Sequence, residues 1–373
     1  MKKKLLKPKL IDKPKSYGDI ILPIAVTVLT IIGTIFIYSA SNYSASATYG
    51  DPFYFVKKQV LGIVLGLFAL ILLSFYDYKK LKKFTFIFTI LAPVLLILVF
   101  VPFIGVENYG AKRWIGLFGV TIQPSEVTKF ALIIFSAKYL SDHPERVQKF
   151  IGILPVLLYG GLLCLLIILE PNMSITVCVA LLMVSILFAG GMKIKHFLFL
   201  LIPAIALVIV LILIEPYRLN RLSAFLNPWS SPKGEGYQLL QSLYALGSGG
   251  WFGVGLFNSR QKYAFLPFSE SDFILSIIGE EIGFIGLIAF FGLLFLIITR
   301  GIKIASKAKD TFGYLLSIGI TMIFGIQVVI NALVVTGSIP PTGLPLPLVS
   351  SGNTSIIIFM AEMGILQNVS KGR

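Results

Sequence analysis

The sequence predicts an all-α polytopic membrane protein, a bundle of ten transmembrane helices with one long extracellular loop. Composition is the first reason, since 56% of the 373 residues are hydrophobic and only 13% are charged. The second reason is that apolar runs long enough to cross roughly 30 Å of hydrocarbon recur along the chain. The third is that lysine and arginine concentrate in alternate connections between these runs.

Each apolar run is predicted to form one spanning helix, because the bilayer offers backbone groups no other partner. Most connections are shorter than a dozen residues, so residues 1–373 are predicted to be a single membrane domain without a separate soluble part. The predicted spans are residues 20–39, 59–75, 84–104, 124–140, 150–169, 174–191, 197–214, 272–299, 314–336 and 353–368.

Basic residues assign a side to every connection. The first fifteen residues carry seven lysines, which places the basic N-terminus, residues 1–19, in the cytoplasm. With that start, the cytoplasmic turns and both termini hold 21 of the 32 lysines and arginines, and the outer segments hold nine. Both termini are therefore predicted to be cytoplasmic. The net charge of +15 follows from this topology and from anionic membrane lipid, and it requires no nucleic-acid partner.

Three outer segments are too long or too irregular to be simple turns. Residues 105–123 join spans three and four, residues 215–271 form the long extracellular loop, and residues 337–352 are rich in proline and glycine. Irregular backbone at membrane depth must line protein or a water-filled cavity, because lipid leaves its polar groups without partners. The three segments therefore predict a polar site that opens outward.

The ionisable residues narrow the chemistry of that site. The sequence has no His and Cys cluster with metal-ligand spacing, no Walker loop and no Ser-His-Asp set, so no metal ligand is assigned. Cys164 and Cys178 lie within predicted spans, where packing is the expected role. More than half of the seventeen acids lie in the outer segments or the spans beside them, and intramembrane ionisable groups are functional candidates.

Four of these acids occur in LPFSESDFILSIIGEEIGFIG, residues 266–286, where the long loop meets span eight. Ser269 and Asp272 have the spacing of a capping box, in which the serine caps the helix and the aspartate returns the hydrogen bond. Asp272 also lies where a general base at the outer mouth of a cavity would be needed. The two interpretations are compatible with each other.

Glu280 and Glu281 lie about 12 Å deeper than Asp272 and point to other faces of the helix. They are predicted to pair with Lys129 or with backbone groups of a broken segment, as structural ion pairs inside the bundle.

Three long motifs resemble the signature of the SEDS family, which includes the RodA, FtsW and SpoVE proteins. In chain order they are AKRWIGLFGVTIQPSEVTKFALI, GYQLLQSLYALGSGGWFGVGLFNSRQKYAFLPFSESDFILSIIGEEIGFIG and PPTGLPLPLVSSGNTSIIIFMAEMGILQNVSK. The resemblance covers nearly the whole chain and includes the ten-span layout. The sequences IQPSE and ILQNVSK are closer to those of the division and sporulation members than to that of the elongation member.

The resemblance implies a glycosyltransferase that polymerises lipid II into peptidoglycan strands at the outer face of the bacterial cytoplasmic membrane. The partner it implies is a class B penicillin-binding transpeptidase. Asp272 falls on the family's loop aspartate and would deprotonate the acceptor sugar's 4-hydroxyl as it attacks the anomeric carbon with inversion. The pyrophosphate leaves as an anion, so it needs cations or a divalent metal such as Mg²⁺ or Mn²⁺. One carboxylate would therefore suffice, whereas glycosidases need two.

The same motifs imply substrate-binding residues. Lys129 is a candidate pyrophosphate ligand that Glu126, three residues away, would orient; alternatively, the two form a buried salt bridge between spans. Arg113 and Trp114 offer a cation and a flat apolar face, although a tryptophan of the aromatic belt would look the same. The further candidates are Lys58 and Gln59 (unless Lys58 merely snorkels), Lys262, Gln123, Ser125, Glu280 and Ser351.

Four positions depart from the family pattern, and they bear on what surrounds Asp272. Phe268 stands where the family has a glutamate, Glu270 where it has a histidine or similar polar residue, and Phe257 where it has a glycine. Asn172 replaces an acid that would help to bind a metal.

Two other functions fit the same features. A lipid II flippase or transporter would also have charged spans and a broken segment, and it would move lipid II without forming polymer. A non-catalytic scaffold that recruits a transpeptidase to a division or sporulation site would tolerate loss of Asp272.

Overall fold

The computed structural model describes residues 18–108, 111–117, 120–214 and 216–372. The seven lysines of the predicted cytoplasmic N-terminus lie outside the described residues. The helices are α1 (Ile21–Tyr49), α2 (Tyr54–Phe75), α3 (Leu81–Leu98), α4 (Pro124–Asp142), α5 (Phe150–Leu169), α6 (Met173–Ala189), α7 (Ile194–Ile214), α8 (Pro216–Leu226), α9 (Tyr237–Gly249), α10 (Ile274–Ser306), α11 (Thr311–Val335) and α12 (Asn353–Ser370).

A helix occupies each of the ten predicted segments. Within the described residues, six helices are long and apolar enough to cross a membrane: α1, α2, α3 with the turn before it, α5, α10 and α11. α6 and the first half of α7 are shorter apolar helices. The expected helical membrane architecture is therefore confirmed at this level, with shifted boundaries. α1 continues to Tyr49, well beyond the predicted end at residue 39.

The all-α prediction is wrong between spans three and four. An antiparallel sheet lies there, made of β1 (Gly105–Asn108), β2 (Ala111–Leu117) and β3 (Val120–Ile122), in that order. Its cross-strand pairs include two of β-branched or aromatic residues, Val106 opposite Trp114 and Ile115 opposite Ile122. Hydropathy windows average over about 19 residues, so they do not detect strands this short.

The long loop, residues 215–271, is more ordered than a loop assignment suggests. It contains α8, whose apolar and polar residues segregate, and α9, which packs against α10. Irregular chain follows α9 and leads to the start of α10.

Close helix packing in the bundle depends on glycine. α2 and α12 form a closely packed pair. A Cβ at Gly66 would lie 2.5 Å from the Met360 sulfur, and one at Gly364 would lie 2.5 Å from the Leu70 carbonyl oxygen. Small residues let membrane helices approach in this way and gain van der Waals contact.

α10 is broken at Gly283, whose φ of +68° and ψ of −172° are not helical. The chain after α9 runs alongside the break and supplies hydrogen bonds. Val254 N–H donates to the Glu280 carbonyl at 3.0 Å, and Phe284 N–H donates to the Gly250 carbonyl at 2.9 Å. These bonds satisfy backbone groups that the break would otherwise leave unpaired at membrane depth.

Candidate active site

Asp272 does not belong to a capping box, so that prediction is wrong. α10 begins at Ile274, and its N-cap residue, Phe273, makes no side-chain cap bond. The Ser269 hydroxyl instead donates to the Ala40 carbonyl at 3.1 Å, which ties the loop to α1. The Asp272 carboxylate is therefore available for another role.

The proline- and glycine-rich segment, residues 337–352, holds the loop that carries Asp272. The Ser350 hydroxyl donates to the Ser271 carbonyl at 2.6 Å, and Ser351 N–H donates to the Glu270 carbonyl at 2.9 Å. Ser351 was expected to bind substrate, but the contact shown here is with the loop backbone. These hydrogen bonds join residues 337–352 to the loop that carries Asp272, next to its carboxylate.

A second set of contacts fixes the backbone of Asp272 itself. The Asn331 amide on α11 donates to the carbonyls of Asp272 and Leu344, both at 2.8 Å. Gly343 has a φ of +66°, and a Cβ there would lie 3.2 Å from Asp272 Oδ2. The segment therefore approaches the carboxylate more closely than a larger residue would comfortably allow.

The Asp272 side chain is half-buried and lies just before α10, outside the spanning helix. Burial raises the pKa of its carboxyl group to about 6, and the neighbouring Glu270 adds to the increase. Arg221 and Arg113 oppose it, followed by the Ser271 hydroxyl. Asp272 thus combines ionisation near neutral pH with a higher basicity than an ordinary aspartate.

Arg113 is held over the start of α6 by strand β2. Its guanidinium donates to the carbonyls of Glu170, at 3.3 Å, and Pro171. Arg221 comes from α8, and its guanidinium donates to the Pro341 carbonyl at 3.2 Å. Two cations from distant parts of the chain therefore act on Asp272.

Arg221 was not singled out in the sequence. It was one of nine outer cations, and nothing in the local pattern distinguishes it from Arg218. Its place beside the site depends on α8 folding against residues 337–352, which is a tertiary contact. The only available signal was that the outer cations would gather around an anionic substrate.

Glu170 is a second residue that the sequence did not place at the site. It directly follows α5, its side chain is fully buried, and within the described residues neither carboxylate oxygen has a hydrogen-bond partner. Burial raises the pKa of its carboxyl group to about 8, and Arg113 opposes the increase. Glu170 is therefore expected to be mostly protonated at neutral pH.

Glu126 and Lys129 form the predicted ion pair, with 2.7 Å between Oε1 and Nζ. Both side chains are only 2% exposed, and the Lys129 ammonium lies 5.4 Å from the centre of the Phe359 ring. No contact joins them to Asp272 within the described residues. A role in binding pyrophosphate stays a prediction.

Glu280 and Glu281 lie at the break in α10 and not beside Lys129, so the predicted pairing with that lysine is wrong. The alternative expectation, backbone groups of a broken segment, matches the structure. Glu280 accepts hydrogen bonds from the Ser259 hydroxyl and from Arg260 N–H, the latter at 2.9 Å. Glu281 lies 3.7 Å from the Lys262 ammonium, and both side chains are buried.

The remaining candidates lie near the starts of α2 and α4 and in strand β2. Lys58 is exposed and donates to the Tyr54 hydroxyl at 2.6 Å. Gln59 is fully buried, and neither of its amide atoms has a partner within the described residues. Gln123 N–H donates to the Thr354 hydroxyl at 3.3 Å, Ser125 is buried, and Trp114 is half-buried in β2.

The described residues contain no group of three or more His, Cys, Asp or Glu side chains that could hold a metal ion. Asn172 does not contribute to such a group, because its side chain accepts a hydrogen bond from Ile175 N–H at the start of α6. The described side chains do not fit a divalent ion with its own protein ligand set.

Comparison with known proteins identifies the lineage. The family model described as "Cell cycle protein", for FtsW, RodA and SpoVE, matches residues 20–373. The chain is 39% identical to the "Probable peptidoglycan glycosyltransferase FtsW" of Trichlorobacter lovleyi over 95% of this chain and 93% of the relative. It is 38% identical to "Stage V sporulation protein E" of Bacillus subtilis over 96% of this chain and 98% of the relative.

Solved structures show the same fold. A chain of a peptidoglycan synthase complex that coordinates polymerization and crosslinking superposes with a TM-score of 0.79 at 28% identity, covering 95% of this chain and 97% of that one. The rod shape determining protein RodA of Thermus thermophilus superposes with a TM-score of 0.70 at 24% identity, covering 95% and 97%. The predicted resemblance is confirmed, and the chain belongs to the FtsW/RodA/SpoVE family of cell cycle proteins.

Proposed function

We propose that this chain is a peptidoglycan glycosyltransferase that polymerises lipid II at the outer face of the cytoplasmic membrane. The observation that carries the proposal is Asp272, a half-buried carboxylate with a raised pKa that two arginines face. The names of the relatives support the same reaction class, since several are called peptidoglycan glycosyltransferases.

Asp272 is the general base. Its carboxylate takes the proton of the acceptor sugar's 4-hydroxyl while that oxygen attacks the anomeric carbon of the lipid-linked strand. The new glycosidic bond forms as the bond from the anomeric carbon to the pyrophosphate oxygen breaks, and the configuration inverts. General base catalysis of this kind contributes about 10²–10⁴-fold.

Arg113 and Arg221 stabilise the negative charge of the departing pyrophosphate. Arginine suits this role because its guanidinium binds phosphate oxygens in pairs and stays charged. Their backbone carbonyl partners hold both guanidinium groups before substrate arrives. The leaving group needs no proton, which explains how one carboxylate suffices. A divalent ion remains an expectation from the family, and no step above depends on it.

The proposed topology has ten spanning helices, α1–α7 and α10–α12, with both termini in the cytoplasm. α8, α9 and the sheet then lie on the outer side together with Asp272. The superposed synthase complex supports a class B penicillin-binding transpeptidase as the partner that would crosslink the strands.

The test is polymerisation of purified lipid II by the full-length protein in lipid vesicles, with and without the transpeptidase. Asp272→Asn is expected to lower the polymerisation rate by about 10²–10⁴-fold and to leave folding and partner binding intact. The matched control is Asp51→Asn, which changes an outer aspartate in an exposed ion pair with Lys57. That control is expected to polymerise at the normal rate.

Retained polymerisation by Asp272→Asn would exclude the proposed mechanism. Movement of lipid II across vesicle membranes without polymer would indicate the flippase alternative. Normal growth of cells that carry only the Asp272→Asn protein would indicate the scaffold.

A further inference from the structure

A buried acid in the middle of α12 is not used by the proposed reaction. Glu362 lies three residues after Phe359, so the two side chains share one face of the helix. The Lys129 ammonium lies 5.4 Å from the centre of the Phe359 ring, so this face of α12 is turned toward the Glu126–Lys129 pair. A second carboxyl group, only 2% exposed, therefore lies on the face of α12 that is turned toward the Glu126–Lys129 pair.

The charges in this cluster do not balance if every group is ionised. Glu126 and Lys129 cancel each other, and an ionised Glu362 would leave one negative charge inside the bundle. An uncompensated charge at membrane depth costs several kcal/mol. Such sites normally change protonation state or acquire a counter-ion.

In the described part of the chain, the elements packed on α12 supply no buried positive charge other than Lys129. α12 packs on α1, α2, α4, α10, α11, strand β3 and the turn Tyr78–Lys80, whose two lysines are exposed. Within the described residues, α1, α2 and α11 carry no buried charged side chain, and α10 contributes only Glu280 and Glu281, which bind residues 259–262 and Ser39. Gln327 on α11 and Cys178 on α6 are uncharged neighbours of the cluster.

Unsatisfied atoms mark where a proton would go. Within the described residues, Oε2 of Glu126 and Oε2 of Glu362 are both buried without a hydrogen-bond partner. Two carboxylates can only accept, whereas a protonated acid can donate toward the other, for example through a buried water. A single proton therefore removes the excess charge and satisfies both atoms.

We propose that Glu362 binds this proton and acts as a neutral positioning residue that donates a hydrogen bond toward Glu126. Glu126 then remains the counter-ion of Lys129, which fixes the ammonium on α4. The inference depends on the bundle interior and not on glycosyl transfer, so it stands or fails separately from the proposed reaction.

The test is infrared spectroscopy of the full-length protein in lipid vesicles at pH 7. The wild-type spectrum minus that of Glu362→Gln is expected to show the carbonyl stretch of a protonated carboxylic acid. A carboxylate band in its place would overturn the proposal. Glu170→Gln is the matched control, because Glu170 is also expected to be protonated at pH 7, so the wild-type spectrum minus that of Glu170→Gln should show an acid band of its own.

Charge balance gives a sharper second measurement. In a Glu126→Gln background, Glu362 becomes the only acid beside Lys129 and is expected to ionise. The difference between Glu126→Gln and the Glu126→Gln/Glu362→Gln double variant should therefore show a carboxylate band and no acid band. A persistent acid band there would contradict the shared-proton arrangement.

Thermal unfolding separates positioning from simple space filling. Glu362→Gln keeps a neutral hydrogen-bond donor, so its unfolding temperature is expected to match the wild type. Glu362→Leu fills similar space without a donor, so it is expected to unfold a few degrees lower. Failure of Glu362→Gln to fold, or equal unfolding temperatures for Gln and Leu, would overturn the proposal.

Discussion

At the scale of single residues, the neighbours of Asp272 act on its carboxyl group in opposite directions. Burial and Glu270 raise its pKa, whereas Arg221 and Arg113 lower it. The balance leaves a base that is mostly ionised at pH 7 and still more basic than an exposed aspartate. The geometry therefore adjusts the carboxylate to proton transfer near neutral pH.

This balance predicts opposite shifts in the pH dependence of polymerisation. Activity requires ionised Asp272, so kcat/KM is expected to fall below about pH 6 in the wild type. Arg221→Gln removes a nearby positive charge and should move the acidic limb to higher pH. Glu270→Gln removes a negative charge and should move it to lower pH. Rates measured with lipid II from pH 5 to 8 test both shifts. If kcat/KM fell at the same pH in all three proteins, the fall could not be assigned to protonation of Asp272.

Glu170 predicts a pH dependence of stability. The folded state keeps the Glu170 proton up to about pH 8, whereas the unfolded chain loses it near 4.5. The folded state therefore binds more protons in this window, and stability falls as pH rises through it, by up to about 1.4 kcal/mol per pH unit. Glu170→Gln should abolish this slope.

Thermal unfolding at several pH values between 5 and 9 measures the effect of Glu170. The exposed Glu235→Gln is the control and should unfold with the wild-type slope. A wild-type slope in Glu170→Gln would show that another group is responsible.

The sequence identified Asp272 through its motif and its place before a span, but it could not identify what surrounds the carboxylate. Arg221 and Glu170 reach the site only through tertiary contacts. Phe257 shows the reverse case, because its φ of +64° lies in the region that favours glycine, which is the residue that the family resemblance led us to expect there. The departure from glycine at this position therefore pointed to a residue with an unusual backbone conformation, which the structure then showed.

At the scale of elements, hydrophobic runs located the helices well because span length is fixed by bilayer thickness. The same method could not detect the break in α10. The break depends on one glycine among 34 and on a partner segment after α9. Likewise, the sheet of residues 105–122 depends on strand pairing that no single window contains.

The break predicts different effects for two glycines of α10. A Cβ at Gly283 would lie 2.2 Å from Gly253 N, and its φ is positive, so Gly283→Ala should unfold at a clearly lower temperature. A Cβ at Gly292 would meet nothing within 4 Å, so Gly292→Ala should be neutral or slightly stabilising. Thermal unfolding of the two variants beside the wild type measures the contrast, and equal stability would mean that the break can straighten.

At the scale of the whole molecule, the charge asymmetry and the position of the site depend on one topology. In the proposed topology, basic connections such as the one from the end of α10 to the start of α11 follow spans that run inward, and the loops around Asp272 follow spans that run outward. If the orientation were reversed, Asp272 would face the cytoplasm, and glycan strands could not be built at the outer surface. The proposed function therefore requires the orientation that the lysines predict.

Labelling of single cysteines tests this orientation with two matched substitutions. Lys233, between α8 and α9, and Lys309, between α10 and α11, are both exposed. In a background with Cys164 and Cys178 replaced, Lys233→Cys should react with a membrane-impermeant maleimide in intact cells, because it lies on the proposed outer side. Lys309→Cys should react only after the membrane is permeabilised. The opposite pattern would place Asp272 on the cytoplasmic side and exclude polymerisation at the outer face, even if the carboxylate proved essential.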